Sequence, residues 1–313
     1  MQWFASAPAN IALIKYMGKD QDNRAINPSF SYTLGELISQ VMLENHAGPN
    51  DYWEPLLIPG AAAFNLSVAA QQRFLNHFKW LKDQWPEKLG GFIVRSSNNF
   101  PHSSGLASSA SSFAALTKVA CTSFSELTGS AAPAIELQAQ WSSKGSGSAA
   151  RSFFSPWALW DGDTTIAVEL PYNILIHQVI LINQDVKEVS SSEAHQRVKS
   201  SPSYAHRPQR ARENLKLLLH ALKNQDWHSA YRICWREFRD MHDLFATCAE
   251  PFGYITSETE SVLLKLEEMW GRDGDGPLVT MDAGPNIHVL YRQDQAAIAY
   301  EFRQTLLGVH DVL

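Results

Sequence analysis

The chain has 313 residues, 45% of them apolar, enough for one large domain or two smaller ones with packed cores. Its 26 basic and 32 acidic residues leave a formal charge of −6, which argues against nucleic acid as the main partner; no apolar run approaches the length of a membrane span. Cys121, Cys234 and Cys248 are odd in number, widely spaced and without a CxxC pair, and no basic leader opens the chain, so a reducing cytoplasm is expected rather than a disulfide framework or zinc site.

Residues 30–34 and 41–43 read as short strands, and 51–58 as another. The stretch 69–85 is helical, with Phe74, Phe78 and Leu81 on one face. A strand at 92–96 leads into a small-residue loop and then a helix-compatible run, 113–124. Residues 153–160, 164–170 and 175–182 read as consecutive strands of one sheet. A polar loop is expected over 184–203, followed by long helices at 207–224, 226–249 and 257–272. Strands at 278–281 and 287–291 and a last helix at 294–307 complete the chain. The elements do not alternate as βαβ units, and no solenoid repeat is present, so the fold class is α+β. The change of texture near residue 185 divides it into 1–185 and 186–313.

The loop 99–110 sets Gly105 among Ser and Ala residues just ahead of a helix. Small side chains let a backbone approach a charged ligand, and a helix start offers unpaired N–H groups, so the loop suits a phosphate; a surface turn capping the helix fits equally well. It lacks the Gly-Lys-Ser/Thr of a Walker A loop. An isolated lysine is ordinarily a solvated surface charge, but Lys15 and Lys19 lie within or beside an apolar run. Arg151 follows a Ser-Gly-Ser turn, where its planar fork can grip a carboxylate or phosphate. Together with Arg73 these cations suit a ligand carrying more than one anionic group, such as a nucleotide or a phosphorylated acid. Asp282 ends the apolar run 278–281 and is the candidate acid or base, although Asp-Ala-Gly-Pro-Asn is also ordinary turn chemistry.

Two further groups read as unremarkable. The basic segment 196–216, with Arg197, Lys199, Arg207, Arg210, Arg212 and Lys216, is expected to be a solvated helix start, with capture of a polyanion as the sharper alternative. His220, His228 and His242 have no metal-ligand spacing and are expected to be solvated or locally paired, so no metal site is legible.

Four segments, 7–19, 99–110, 145–152 and 281–286, taken in this order, resemble the GHMP family of small-molecule kinases, and within it the mevalonate diphosphate decarboxylases. The resemblance extends to Lys187-Glu188-Val189-Ser190-Ser191 and to the stretch from Met241-His242 to Pro251 and Tyr254. It implies a two-lobed fold with the active site in the cleft between lobes, a homodimer, and ATP with Mg²⁺ acting on mevalonate 5-diphosphate. It assigns Asp282 to the substrate 3-hydroxyl, Arg151 to its carboxylate, and Lys187 to the neighbourhood of the transferring phosphoryl group. Substrate binding falls on Lys15, Tyr16, Met17, Gly18 and Lys19, on Ser146, Gly147, Ser148, Ala149, Ala150 and Arg151, on Ser191 and Ser192, and on Arg73. ATP binding falls on Pro101, Ser103, Ser104, Gly105, Leu106, Ala107, Ser108 and Ser109.

The chain departs from that pattern at Met17, where the family has Trp, at Ala150 for Cys, at His102-Ser103-Ser104 for Thr-Ala-Ala, and at Ala194-His195 for Gly-Met. No departure removes a proposed charged catalytic group, but they leave the choice between diphosphate and monophosphate open. A mevalonate phosphate decarboxylase, a kinase that stops at the 3-phosphate and a catalytically silent binding protein are the rival readings.

Overall fold

In a computed structural model, which describes all residues except 21–24, 59–64, 101–107 and 184–187, the chain opens on a strand, β1 (Gln2–Ile14). Its first half turns Trp3 and Ala7 inward between exposed or half-buried neighbours, whereas every residue from Ala9 to Ile14 is buried. The strands expected at 30–34 and 41–43 are one 18-residue strand, β2 (Ser29–His46). Gly35, where an added Cβ would meet nothing within 4 Å, does not interrupt it. β3 (Tyr52–Pro55), α1 (Val68–Lys82), β4 (Gly91–Asn98) and α2 (Ser108–Thr128) follow. After α3 (Ile135–Gly145), residues Gly147–Phe153 form a tight 3₁₀ turn, so the strand expected from 153 begins only at β5 (Trp157–Asp161). The Gly, Ser and Ala residues of that turn lack the bulk that stabilises a strand.

β6 (Thr164–Ala167) pairs with β5, but β7 (Leu175–Leu181) belongs to a different sheet, correcting the expectation of three strands in one sheet. The expected loop at 184–203 contains a helix, α4 (Ser191–Arg197), whose first turn is capped by the Ser190 hydroxyl accepting from Glu193 N–H at 3.2 Å. A Glu193–Arg197 pair one turn apart adds to it; polarity alone hid both devices. Then come α5 (Arg207–Lys223), α6 (Trp227–Thr247), α7 (Ser257–Asp273), β8 (Leu278–Met281), β9 (Ile287–Arg292), α8 (Ala296–Leu306) and β10 (Asp311–Val312).

The first sheet runs β3-β4-β2-β5-β6, with β1 also paired to β2; the second runs β10-β7-β9-β8. This mixture is the α+β class. The chain forms two compact units. One takes Met1–Asn10 with the described residues of 33–167, the other Ile11–Tyr32 with the described residues of 168–313. The first unit is cored by aromatic side chains, Phe124 meeting Phe78, Trp85 and Phe92 at centroid distances of 5.1–5.6 Å. In the second, α6 packs against α5 and β8, with Ala230, Ile233, Cys234, Phe238, Met241 and Phe245 on its buried face. No helix among the described residues is long and apolar enough to cross a membrane.

Candidate active site

The second unit brings together the two ends of the motif pattern. Lys15 follows the fully buried end of β1 and is itself 2% exposed. An ammonium there must be paired, and its Nζ donates to Asp282 Oδ1 at 2.6 Å. Asp282 stands directly after β8, all four of whose residues are buried, and is held in a tight turn by Gly284 N–H donating to its carbonyl at 2.8 Å. Asn286, at the end of the same turn, accepts from the N–H groups of Ile182 and Asn183 at 2.8 and 3.2 Å, tying the turn to the end of β7. The result is an oriented carboxylate, 30% exposed, presented at a strand end.

Beyond Lys15, the substrate segment expected from resemblance is locally organised. Tyr16 stacks on His195 at 5.0 Å, and Gly18 N–H donates to His195 Nδ1 at 3.0 Å. Burial, with the Lys19 and Lys199 charges, takes His195 down to about 3, so its Nδ1 keeps the lone pair that this bond needs. Gly18 adopts φ +100°, and an added Cβ would lie 2.5 Å from Tyr204 Oη, so the position requires glycine. Met17 is buried with Val189, Ala194, Met241, Phe245 and Tyr254, taking the place of the family's Trp as a core residue. Lys19 is half-buried and bridges to Ala25 through the backbone. Ser191 and Ser192 are exposed on the first turn of α4.

The other candidates gather in the first unit. Arg151, 3% exposed in the 3₁₀ turn, donates from Nε to Asn10 Oδ1 at 3.2 Å. Asn10 in turn donates to Ser152 Oγ at 2.8 Å and to Ser148 O at 3.2 Å, fixing the turn that carries Gly147, Ala149 and Ala150. Ser109, at the start of α2, lies 3.3 Å from Ser146 Oγ, which lies 3.3 Å from Ser148 Oγ. Arg73 donates to Gly145 O at 2.6 Å and covers the Phe113 ring. Ser108 and Ser109 open the 21-residue α2. Pro101, His102, Ser103, Ser104, Gly105, Leu106, Ala107 and Lys187 lie outside the described residues.

One expectation is overturned and one is narrowed, His242 being paired rather than solvated. Arg207 is no solvated helix start: it is fully buried, pairs with the equally buried Glu237, and donates to Lys15 O at 2.7 Å and Asp240 Oδ2 at 2.8 Å. His242 is buried too, and its Nε2 lies 3.2 Å from Asp282 O. Both belong to a shell that the sequence reading missed. Glu237 Oε1 accepts Lys15 N–H at 3.0 Å, Asn214 donates to Glu237 Oε2 at 2.6 Å, and Asn27 donates to Lys15 O at 2.9 Å. The available signal was a glutamate and a histidine on the apolar stripe of a helix.

Residues 7–168 match the diphosphomevalonate decarboxylase-like N-terminal domain, and residues 177–310 the mevalonate 5-diphosphate decarboxylase C-terminal domain. The chain is 58% identical to a mevalonate diphosphate decarboxylase from Legionella pneumophila, whose crystal structure matches at a TM-score of 0.95 over 100% of both chains. A diphosphomevalonate decarboxylase from Ganoderma lucidum is 30% identical over 90% of this chain and 76% of its own. A solved complex of MDDEF with MVAPP, AMPPCP and magnesium is 26% identical at a TM-score of 0.83, covering 100% of this chain and 95% of that one.

Proposed function

The chain belongs to the diphosphomevalonate decarboxylase family, and we propose that it converts mevalonate 5-diphosphate and ATP into isopentenyl diphosphate, ADP, phosphate and CO₂. The observation that carries the residue roles is the Asp282 carboxylate, held at a strand end by the buried Lys15 ammonium. Asp282 accepts the proton of the C3 hydroxyl as that oxygen attacks the γ-phosphoryl group of ATP. The tertiary phosphate then leaves with its bonding electrons, positive charge develops at C3, and the C–C bond to the carboxylate supplies the electrons of the new double bond as CO₂ departs. Arg151 grips that carboxylate, and Lys187 stands by the phosphoryl group. No covalent bond to the protein is needed, so positioning and electrostatics do the catalysis.

Diphosphate binding is assigned to Lys19, Arg73 and the hydroxyls of Ser191 and Ser192, and further substrate contacts to the Tyr16–Gly18 segment and the turn from Ser146 to Ala150. The loop from Pro101 to Ser109 takes the ATP phosphates. The described end of that loop suits a polyphosphate: Ser108 and Ser109 begin a long helix whose first N–H groups are unpaired within it. A relative has been solved with AMPPCP and magnesium, and Mg²⁺ bound with ATP would neutralise charge on the phosphates. The reading includes an ATP-binding part at 1–185, a second part at 186–313, and a cytoplasmic homodimer.

The test is a panel of mevalonate 5-diphosphate and mevalonate 5-phosphate with ATP and Mg²⁺, measuring ADP and CO₂ together. Equal ADP and CO₂ with the diphosphate, and a preference over the monophosphate of about thirtyfold in kcat/KM from charge-assisted contacts to the terminal phosphate, are expected. ADP without CO₂ would make the protein a kinase. A preference for the monophosphate would reassign the substrate.

A further inference from the structure

Helix α6 grips the main chain on both sides of the Lys15–Asp282 pair. Glu237 Oε1 accepts the Lys15 N–H at 3.0 Å, and five residues further along the same buried face His242 Nε2 lies 3.2 Å from the Asp282 carbonyl. A carbonyl can only accept, so the histidine hydrogen sits on Nε2 and is donated. We propose that Glu237 and His242 are positioning residues, through which one rigid helix sets Lys15 and Asp282 at their working separation.

The inference rests on the reading of Asp282 as the base. An ion pair between two flexible side chains tolerates drift, whereas a proton transfer loses rate when its acceptor is misplaced by an ångström. Fixing the two backbones removes that drift. Five residues of α-helix span about 7.5 Å, a separation that thermal motion barely changes. The chemistry of the grip also needs explaining, because Glu237 and Arg207 are both fully buried. A buried ion pair is weak evidence for stability, since apolar side chains of similar volume do as well or better. Here Glu237 accepts from the N–H of Lys15 and Arg207 donates to its C=O, so the two charges end on both main-chain groups of one residue. His242 is gripped in turn by aromatic neighbours, with Phe238, Phe245 and Tyr254 edge-on to its ring at 5.2–6.3 Å. Burial takes it down to about 3, so it serves as an uncharged donor at neutral pH.

The experiment uses the full chain, with steady-state kinetics on ATP and mevalonate 5-diphosphate and thermal melting. His242→Phe keeps the aromatic packing and removes the donor. The expected result is a kcat at least ~tenfold lower, with KM for both substrates within about twofold and little change in Tm. His242→Gln, whose amide N–H can occupy the place of Nε2–H, is expected to restore kcat to within about threefold of the parent. The double variant Arg207→Met with Glu237→Leu keeps the volume but removes both charges. It leaves the Lys15 N–H and the Asn214 amide without the Glu237 acceptor, so a lower Tm is expected, and at temperatures where the variant is folded kcat is expected to be at least ~tenfold lower. Asp282→Asn runs alongside: near-normal turnover there would sink the assignment of Asp282 rather than this one. With Asp282→Asn inactive, parental kcat in His242→Phe or in the double variant overturns the inference. A Gln variant no better than Phe does the same. Failure of both His242→Phe and the double variant to fold would make these residues structural only, and would also overturn it.

Discussion

Asp282 sits 2.6 Å from a buried ammonium and ends a strand, so its carboxylate is an oriented acceptor before any substrate arrives. Asp282→Asn keeps size and shape but loses proton affinity. It is expected to retain the fold and substrate binding while turnover falls by at least ~10³; a loss below tenfold would remove Asp282 from the chemistry. Arg151 is a different case, buried in a turn that Asn10 fixes. Arg151→Lys keeps the charge but not the planar fork, and is expected to cost at least ~10² in kcat/KM. Near-normal activity would show that the guanidinium is peripheral. Lys15, Arg151 and Asp282 were legible because each is a charged residue among apolar or small ones. Glu237, Arg207 and His242 were not. They lie in long helical patterns where charge ordinarily marks the solvent face; only their place on the stripe of Cys234, Phe238, Met241 and Phe245 distinguishes Glu237 and His242, and nothing local distinguishes Arg207 at the start of α5.

Helices were the most legible elements, since α1, α5, α6 and α7 all carry apolar residues at helical spacing over fifteen or more residues. β1 escaped notice because its second half is buried throughout and shows no alternation. The sheet to which β7 belongs was illegible for another reason: its partner β9 lies more than a hundred residues away, with Leu175 opposite Arg292. The junction of α3 with α2 is equally a tertiary fact. A Cβ on Gly145 would lie 2.1 Å from Phe113 Cδ1 and 2.9 Å from the His77 ring. Phe113 has little room to yield, packed edge-on against Phe74 and His77 at 5.3 Å. Gly145→Ala is therefore expected to destabilise the fold by about 1–3 kcal/mol, read as a lower midpoint in urea at unchanged slope. An unchanged midpoint would mean that the Phe113 ring swings aside at no cost.

Over the whole molecule, His77, His177, His195 and His242 share one property: burial, the largest cause for each, holds their pKa far below the usual 6.5. Three of them take values of about 3; for His177 the charge of His288 acts in the same direction as burial. The sign follows from proton counting. Between the folded and unfolded pKa values each histidine binds a proton only in the unfolded chain, so acid favours unfolding. The stability these groups contribute is fully present above about pH 6.5, and it drains away as pH falls toward 3, at up to ~1.4 kcal/mol per pH unit for each histidine. Paired carboxylates such as Glu260, held down by Arg239, begin to matter only below their ordinary 4.5, so the window from pH 6.5 to 5 belongs to the histidines. Urea unfolding is therefore expected to give a flat midpoint from pH 8 to 7 and a steep decline between about 6.5 and 5. His77→Phe removes one titrating group while keeping a ring beside Trp80 and Phe113, and it should make that decline shallower by close to one proton. A parental slope in that variant would show that His77 is already protonated, or already exposed, in the folded protein.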